Sequence, residues 1–427
     1  MLTLLALAAV GSPARAKGRA TISNRRLPAV RASETPVIDG NLNDKVWGTA
    51  PVADHFSDRF TRSDAIDQTK VYVCYDDENL YFGFDCQDSH PEAVIGREIV
   101  PDVSFGSDDS VMIALDPFRT RQGDDASYYL INPLGTGAAY PAGGRANKRE
   151  WKGNWKSAAV RTETGWTAEA AIPWAALNYP SGKKKATFGL NFQRNQQRTK
   201  IVSQWSNLGP DRRRDLAGDW VAVEVPKRHF KPKLSLLPYT LPGFRGSRAS
   251  DFHSGLDARL TLTPQLTAVG TVNPDFSTVE RTIAGVGFVR GERFVADTRP
   301  FFLEGGDVFD LNVGRNGGWG RAFFSGRVPQ FDTGAKLYGR LGENTIGVMT
   351  TMDFGNRLDL VGHLTHPVGP ESFVGGYLVQ RSVPGDFSQL LGVNEDIRRG
   401  TWRLRSEFTS SLGKDAGGNA IYSSVQW

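Results

Sequence analysis

The sequence is poor in cysteine and in net charge, and each shortage removes a class of protein. Two cysteines, Cys74 and Cys86, in 427 residues exclude a disulfide-stapled scaffold. With no CxxC and no Cys/His cluster, a zinc site has no ligand set. A net charge of +5, its Arg and Lys interspersed with acids, supplies no basic helix or stripe, so nucleic acid is not an expected partner. The G-x-S-x-G elbow, the P-loop, H-E-x-x-H and EF-hand spacings are all missing. No catalytic residue is therefore assigned, and a non-catalytic role is favoured over an enzymatic one. Residues 1–10 are apolar and uncharged. Such a run is too short to cross a bilayer as a helix, which takes about 20 residues.

What the chain does have is glycine, 47 residues of it, and 11% aromatics. That mixture favours β-structure with many turns over helical bundles. The length suits about two to three domains. Residues 1–16, closing on Ala14-Arg15-Ala16, have the pattern of an export signal, although the n-region lacks Lys and Arg. A buried or disordered apolar start is the alternative. Residues 17–33 are basic and are expected to be a disordered lead-in. A first domain is expected over 34–228 and a second region over 231–427.

In the first domain, Val71, Val73 and Tyr75 alternate on one strand, and Leu80, Phe82 and Phe84 on the next. Pairing Tyr75 with Leu80 puts all six on one face and Cys74 opposite Tyr81. Cys86 then shares the apolar face and Cys74 takes the other, so the thiols are expected to stay unpaired, with a disulfide or metal pair as the alternative. Further strands are expected around Val111–Leu115, Tyr128–Leu130, Trp166–Ile172 and Ala186–Phe192. Short helical turns are expected after Asn43 or Asp44 and at Pro173–Leu177. Short strands with regular turn signals predict an all-β sandwich.

The stretch Val37-Ile38-Asp39-Gly40 with Trp47 resembles the opening of family 9 carbohydrate-binding modules. So do Val73–Tyr81, Asp109 through Asp116-Pro117-Phe118, and Gly165–Trp174, in that order. The resemblance implies a β-sandwich that binds sugars, with calcium in some members. Sugar rings stack on aromatics and need rigid polar partners for their hydroxyls. Trp151 and Trp155, in a polar Gly-containing stretch with Glu150 and Asn154, are the candidate platform, with Trp205 as a second candidate. Packing at the sandwich edge is the competing reading for these rings. Trp47, Trp166 and Trp174 sit in apolar patterns and are expected in the core. Asp102, Asp108 and Asp109 are candidate Ca2+ ligands, because oxygen-rich loops suit that ion. The run Asp76-Asp77-Glu78 is expected to be a solvated turn.

After residue 230 the pattern changes to two-faced strands of about ten residues with polar turns, which is the signature of a membrane β-barrel. A water-soluble β-domain with one wet face is the alternative. Between these strands lie Asn273-Pro274-Asp275-Phe276 through Glu280, and Arg299-Pro300-Phe301-Phe302-Leu303-Glu304-Gly305. They resemble the signature of an uncharacterised bacterial family that joins such a sandwich to an outer-membrane β-barrel. The resemblance implies an ordered segment in the lumen or against the rim, with Arg299 and Glu304 a candidate pair. Members of that family carry a longer barrel, whereas about eight to ten strands can be counted after residue 230, so the region is expected to be either a small closed barrel or the beginning of a longer one. Trp427, with Val425 and Ile421 at the same parity, resembles an outer-membrane assembly signal. The expected protein is thus exported, with the outer membrane as its location and the periplasm as the alternative. It would capture a polysaccharide or oligosaccharide at the cell surface and contact outer-membrane lipid. A glycoside hydrolase and an envelope assembly protein are the competing functions.

Overall fold

The computed structural model describes residues 25–427 except 104, 122–125, 141, 143–154, 178, 181–184, 228–231, 246–247, 264, 275–296, 298, 312–320, 370 and 415–416. The fold is all-β. The sandwich strands are β1 (Arg26–Pro28), β2 (Val52–Ala53), β3 (Ser57–Asp58), β4 (Thr69–Tyr75), β5 (Asn79–Gln87), β6 (Ser110–Asp116) and β7 (Ser127–Ile131). They continue with β8 (Gly137–Tyr140), β9 (Lys156–Thr162), β10 (Gly165–Pro173), β11 (Ala186–Asn195), β12 (Val202–Gln204) and β13 (Gly218–Val223). The larger sheet runs β1-β13-β11-β6-β7-β8, with β12 attached to β11 and β3 to β12. The smaller runs β2-β4-β5-β10-β9.

The alternation of β4 and β5 sets the register. Tyr75 faces Leu80 and Cys74 faces Tyr81. Val71, Val73, Phe82 and Phe84 therefore enter the core with Cys86, where they meet Phe188, Phe192 and Trp220 from the other sheet. Cys74 faces the opposite way, into a second cluster with Val46, Trp47 and Tyr81. Both thiols are free and buried, and desolvation pushes each up to about 12. Trp166 and Trp174 are core residues, as expected. The helical turns expected early and late in the domain are 3-10 turns at Lys45–Gly48 and Trp174–Ala176. Asp44 stands at the N-cap position of the first without capping it. Its carboxylate instead accepts the Val37 N–H at 2.9 Å. The lead-in is not disordered at Arg26–Pro28. These residues pair in parallel with β13, and Leu27 is buried in the core.

The second region is one antiparallel meander. Its strands are β14 (Lys233–Arg245), β15 (Arg248–Thr263), β16 (Leu266–Val272), β17 (Thr333–Leu341) and β18 (Asn344–Asp353). The rest are β19 (Arg357–Gly369), β20 (Ser372–Val383), β21 (Asp386–Arg399), β22 (Trp402–Gly413) and β23 (Gly418–Gln426). They pair strictly in sequence order, and β14 and β23 do not pair with each other. The sheet is open among the described residues. One face carries Ile346, Leu364, Gly376, Val393, Phe408 and Ile421, register neighbours across six strands. Val393 is 59% exposed and Ile421 75%. The other face is covered by α1 (Pro300–Leu303) and the segment around it. Phe301, Phe302, Val308, Phe309 and Phe331 pack there on Tyr338, Met349, Val361 and Tyr377.

Candidate functional site

The residues that carry the family 9 resemblance converge on a side chain that was not singled out from sequence, Glu169 of β10. Its Oε2 accepts the N–H groups of Asp39 (3.0 Å) and Gly40 (2.8 Å), and its Oε1 accepts the indole N–H of Trp47 (2.8 Å). Thr167 adds a hydroxyl bond to the Gly40 carbonyl at 2.7 Å. Burial raises the Glu169 carboxyl above its ordinary range, against those three donors. Gly40 has φ +92°, and a Cβ there would lie 2.8 Å from the Ala159 backbone, so only glycine fits. Asp39, Gly40 and Trp47 thus clamp the opening segment over the smaller sheet.

The polar centre between the sheets is also internal. Arg194, 1% exposed, donates to Asp88 Oδ2 at 2.9 Å. The Gln196 amide donates to both Asp67 and Asp88, at 2.8 and 2.9 Å, and Arg198 reaches Asp88 at 3.0 Å. Such a network avoids the cost of unpaired buried charge.

The three calcium candidates do not form a cation site. Asp108 Oδ2 accepts the N–H groups of Arg97 (3.0 Å) and Glu98 (2.9 Å) and the Asn132 amide (2.9 Å). Asp109 accepts Ile95 N–H and Gln197 N–H, and Asp102 accepts Ala139 N–H. These carboxylates tie loops to strands. Among the described residues no group of three or more acidic, His or Cys side chains could hold a metal ion. Asp76 behaves in the same way, its Oδ1 closing the β4–β5 turn on the N–H groups of Glu78 and Asn79.

Of the sugar candidates, Glu150, Trp151 and Asn154 lie outside the described residues. Trp155 is half-buried at the core edge, 5.2 Å from the Tyr129 ring and over Gly137. Trp205 is a correction. It is 3% exposed and packs 5.8 Å from Phe192, so its ring has no face left for a sugar.

The outer face of the larger sheet offers a different platform. Phe188, Leu190 and Phe192 of β11 point into the core, and alternation sends Gln193 and Asn195 outward. Gln204 of β12 donates to Gln193 (2.9 Å), Gln193 to Asn195 (3.0 Å), and Asn195 to Ser110 (3.0 Å). Met112 and Ala114 of β6 lie beside this row, then Leu130 and Tyr128 of β7, with Tyr140 of β8 opposite Tyr128. Gln193, Asn195, Met112, Ala114, Tyr128 and Leu130 are partly buried and Tyr140 is exposed, while Gln204 and Ser110 are buried and anchor the two ends of the row. Rigid amides therefore adjoin a low apolar and aromatic strip, which is what a pyranose needs for its hydroxyls and its C–H faces. The signal was present in the sequence as Asn191, Gln193 and Asn195 at alternate positions between inward aromatics. The segment that carries Trp151 leaves this same sheet at β8.

In the second region the expected Arg299–Glu304 pair is not formed. Arg299 binds Asp297 at 2.6 Å and lies 4.2 Å over the Phe302 ring. Glu304 takes Arg259 and the Tyr338 hydroxyl, each at 2.7 Å. Lys336 donates to the Phe301 and Glu304 carbonyls. Gly305, at φ +64°, turns the chain from α1 into the 3-10 turn Gly306–Phe309, over the Tyr338 ring. Pro300, Phe301 and Phe302 form α1, while Asp275, Phe276 and Glu280 lie outside the described residues. A cavity of about 460 Å³ separates residues 322–328 from the covered face of β19–β22.

Comparison with known proteins places the resemblance in the first half of the chain. Residues 38–209 match the model of the carbohydrate family 9 binding domain-like family. A crystal structure of a candidate carbohydrate-binding protein from Bacteroides uniformis is similar at 14% identity and a TM-score of 0.36. The match covers 47% of this chain and 99% of that one. No curated protein matches the chain.

Proposed function

We propose that this chain is a non-catalytic glycan-binding protein of the bacterial outer membrane. Its sandwich holds a polysaccharide or oligosaccharide, and the open face of its ten-stranded sheet meets lipid. The observation that carries the glycan half is the bonded row Gln204–Gln193–Asn195–Ser110 beside Met112, Ala114 and Tyr128. Its accessible polar groups are the amides of Gln193 and Asn195, held by the buried Gln204 and Ser110; amides can orient sugar hydroxyls but cannot act as the acid and nucleophile of a glycosidase. The lipid half is supported by the contiguous exposed row from Leu364 to Ile421. Such a face is unlike the scattered single hydrophobics of a soluble surface.

A glycan array on the full chain tests the first half. The Gln193→Ala/Asn195→Ala double variant should weaken binding about tenfold or more, from roughly 1–3 kcal/mol of lost hydrogen bonding. Trp151→Ala measures the loop candidate in parallel. No glycan signal from the parent chain, or affinity unchanged in the double variant, would defeat the platform. Recovery of the protein wholly in the soluble periplasmic fraction would defeat the membrane half.

A further inference from the structure

We infer that the sandwich lies on the periplasmic side of the outer membrane, so that the glycan it binds is one of that compartment and not a polymer outside the cell. This rests on the membrane reading above and reverses the surface location expected from sequence.

The argument is topological. In an antiparallel meander alternate connections lie at opposite ends of the sheet. Only residues 224–232 separate the end of β13 from the start of β14, so the sandwich sits at the end where β14 begins. At that end the connections are β15–β16, β17–β18, β19–β20 and β21–β22. Each leaves two residues between strands. At the far end the connections leave two residues (β14–β15), sixty (β16–β17), three (β18–β19), two (β20–β21) and four (β22–β23). A side-chain contact fixes the same end independently. Glu371, in the β19–β20 turn, accepts the N–H of Arg214 from the sandwich and lies 2.7 Å from Arg398 of β21. The sandwich thus touches the end made entirely of tight turns, and the sixty-residue connection belongs to the other end. Outer-membrane barrels have short turns in the periplasm and long loops outside. The far end, with the long connection, faces out; the sandwich faces in.

The two buried cysteines make the test clean. Cys74 and Cys86 are 1% and 0% exposed, so a membrane-impermeant maleimide should leave the native parent protein unlabelled. Glu163→Cys puts a thiol on the exposed β9–β10 turn of the sandwich, and Lys414→Cys puts one on the exposed β22–β23 connection. Full-length variants are labelled in intact cells and again after the outer membrane is permeabilised, and membrane fractionation is run on both. Lys414→Cys should label fully in intact cells. Glu163→Cys should label at least tenfold more after permeabilisation. With the protein in the membrane fraction, labelling of Glu163→Cys in intact cells overturns the inference, whether or not Lys414→Cys also labels. Protection of Lys414→Cys in intact cells overturns it too. A soluble protein instead defeats the membrane reading itself, and the two failures are told apart by the fraction. If either variant fails to reach the membrane, Thr162→Cys and Asp386→Cys give the same readout from neighbouring positions.

Discussion

In the sandwich, Val73, Phe82 and Phe192 point between two sheets, and in the ten-stranded sheet Leu364, Val393 and Phe408 point away from everything the described residues supply. Both halves obey the same two-residue alternation, so the difference lies in what covers each face. The sandwich seals its apolar residues with edge-on aromatic contacts, such as Tyr75–Trp220 at 5.7 Å and Phe84–Phe192 at 5.8 Å. The second region packs aromatics and charges on its covered face. Asp359 is held between Arg357 (2.9 Å) and Arg381 (2.6 Å), and Asp396 between Arg403 (2.6 Å) and Arg405 (3.2 Å). Under the membrane reading proposed above, one half is built for water outside and the other is inverted. That inversion, and not strand content, distinguishes the two regions.

The largest expected effect would break the sandwich alone. Glu169→Ala leaves three buried donors without an acceptor, at a cost of about 3–5 kcal/mol. Urea denaturation should show the sandwich transition moving to lower urea while the ten-stranded sheet keeps its own. An unshifted sandwich transition would mean the clamp is dispensable. Next in size is Val393→Arg. A charge at the lipid-facing midplane costs about 2–4 kcal/mol in a bilayer, and a surface change on a soluble sheet costs little. Folding into vesicles should therefore suffer. Equal folding of parent and variant in vesicles would place that face in water and erase the inversion. Gly40→Ala should cost about 1–3 kcal/mol, because it combines a left-handed φ with a backbone collision. Its loss should appear in the same sandwich transition as that of Glu169→Ala.

Much of this was readable from residue patterns. The β4–β5 register followed from alternation and one turn, and with it came the fate of both cysteines. The inverted polarity was also visible, since Leu404 and Phe408 alternate with Arg403, Arg405 and Glu407. What stayed hidden depended on contacts between distant residues. Glu169 lies about 130 positions from the glycine it holds, and nothing local marks it as a clamp. Trp205 sits in a polar stretch, yet β12 carries it into the core against Phe192. Asp108 and Asp109 have the composition of a cation loop. Only the fold shows that they accept N–H groups of Ile95, Arg97 and Glu98 from the preceding segment, with the Asn132 amide and the Gln197 N–H from further along the chain. Arg299 and Glu304 are close in sequence, but α1 separates them, and each finds a nearer partner.

Those two aspartates supply the smallest and sharpest test, because neighbours in one sandwich titrate in opposite directions. Burial raises the Asp108 carboxyl, but the N–H groups of Glu98 and Arg97 and the Asn132 amide outweigh it and hold it below its ordinary value of 3.8. For Asp109 burial prevails over the N–H groups of Gln197 and Ile95, with Asp88 adding repulsion, and the carboxyl is raised. By linkage, the stability from Asp108 is present above its ordinary value and is lost as pH falls through the folded one. The stability from Asp109 is present below its ordinary value and is lost as pH rises through the folded one. Asp108→Asn should therefore flatten the loss of stability below about pH 4. Asp109→Asn should gain on the parent as pH rises above about 4. Urea midpoints of the sandwich transition between about pH 3 and pH 8 read both effects. Curves that run parallel to the parent in both variants would mean that neither loop carboxylate differs from a solvated one.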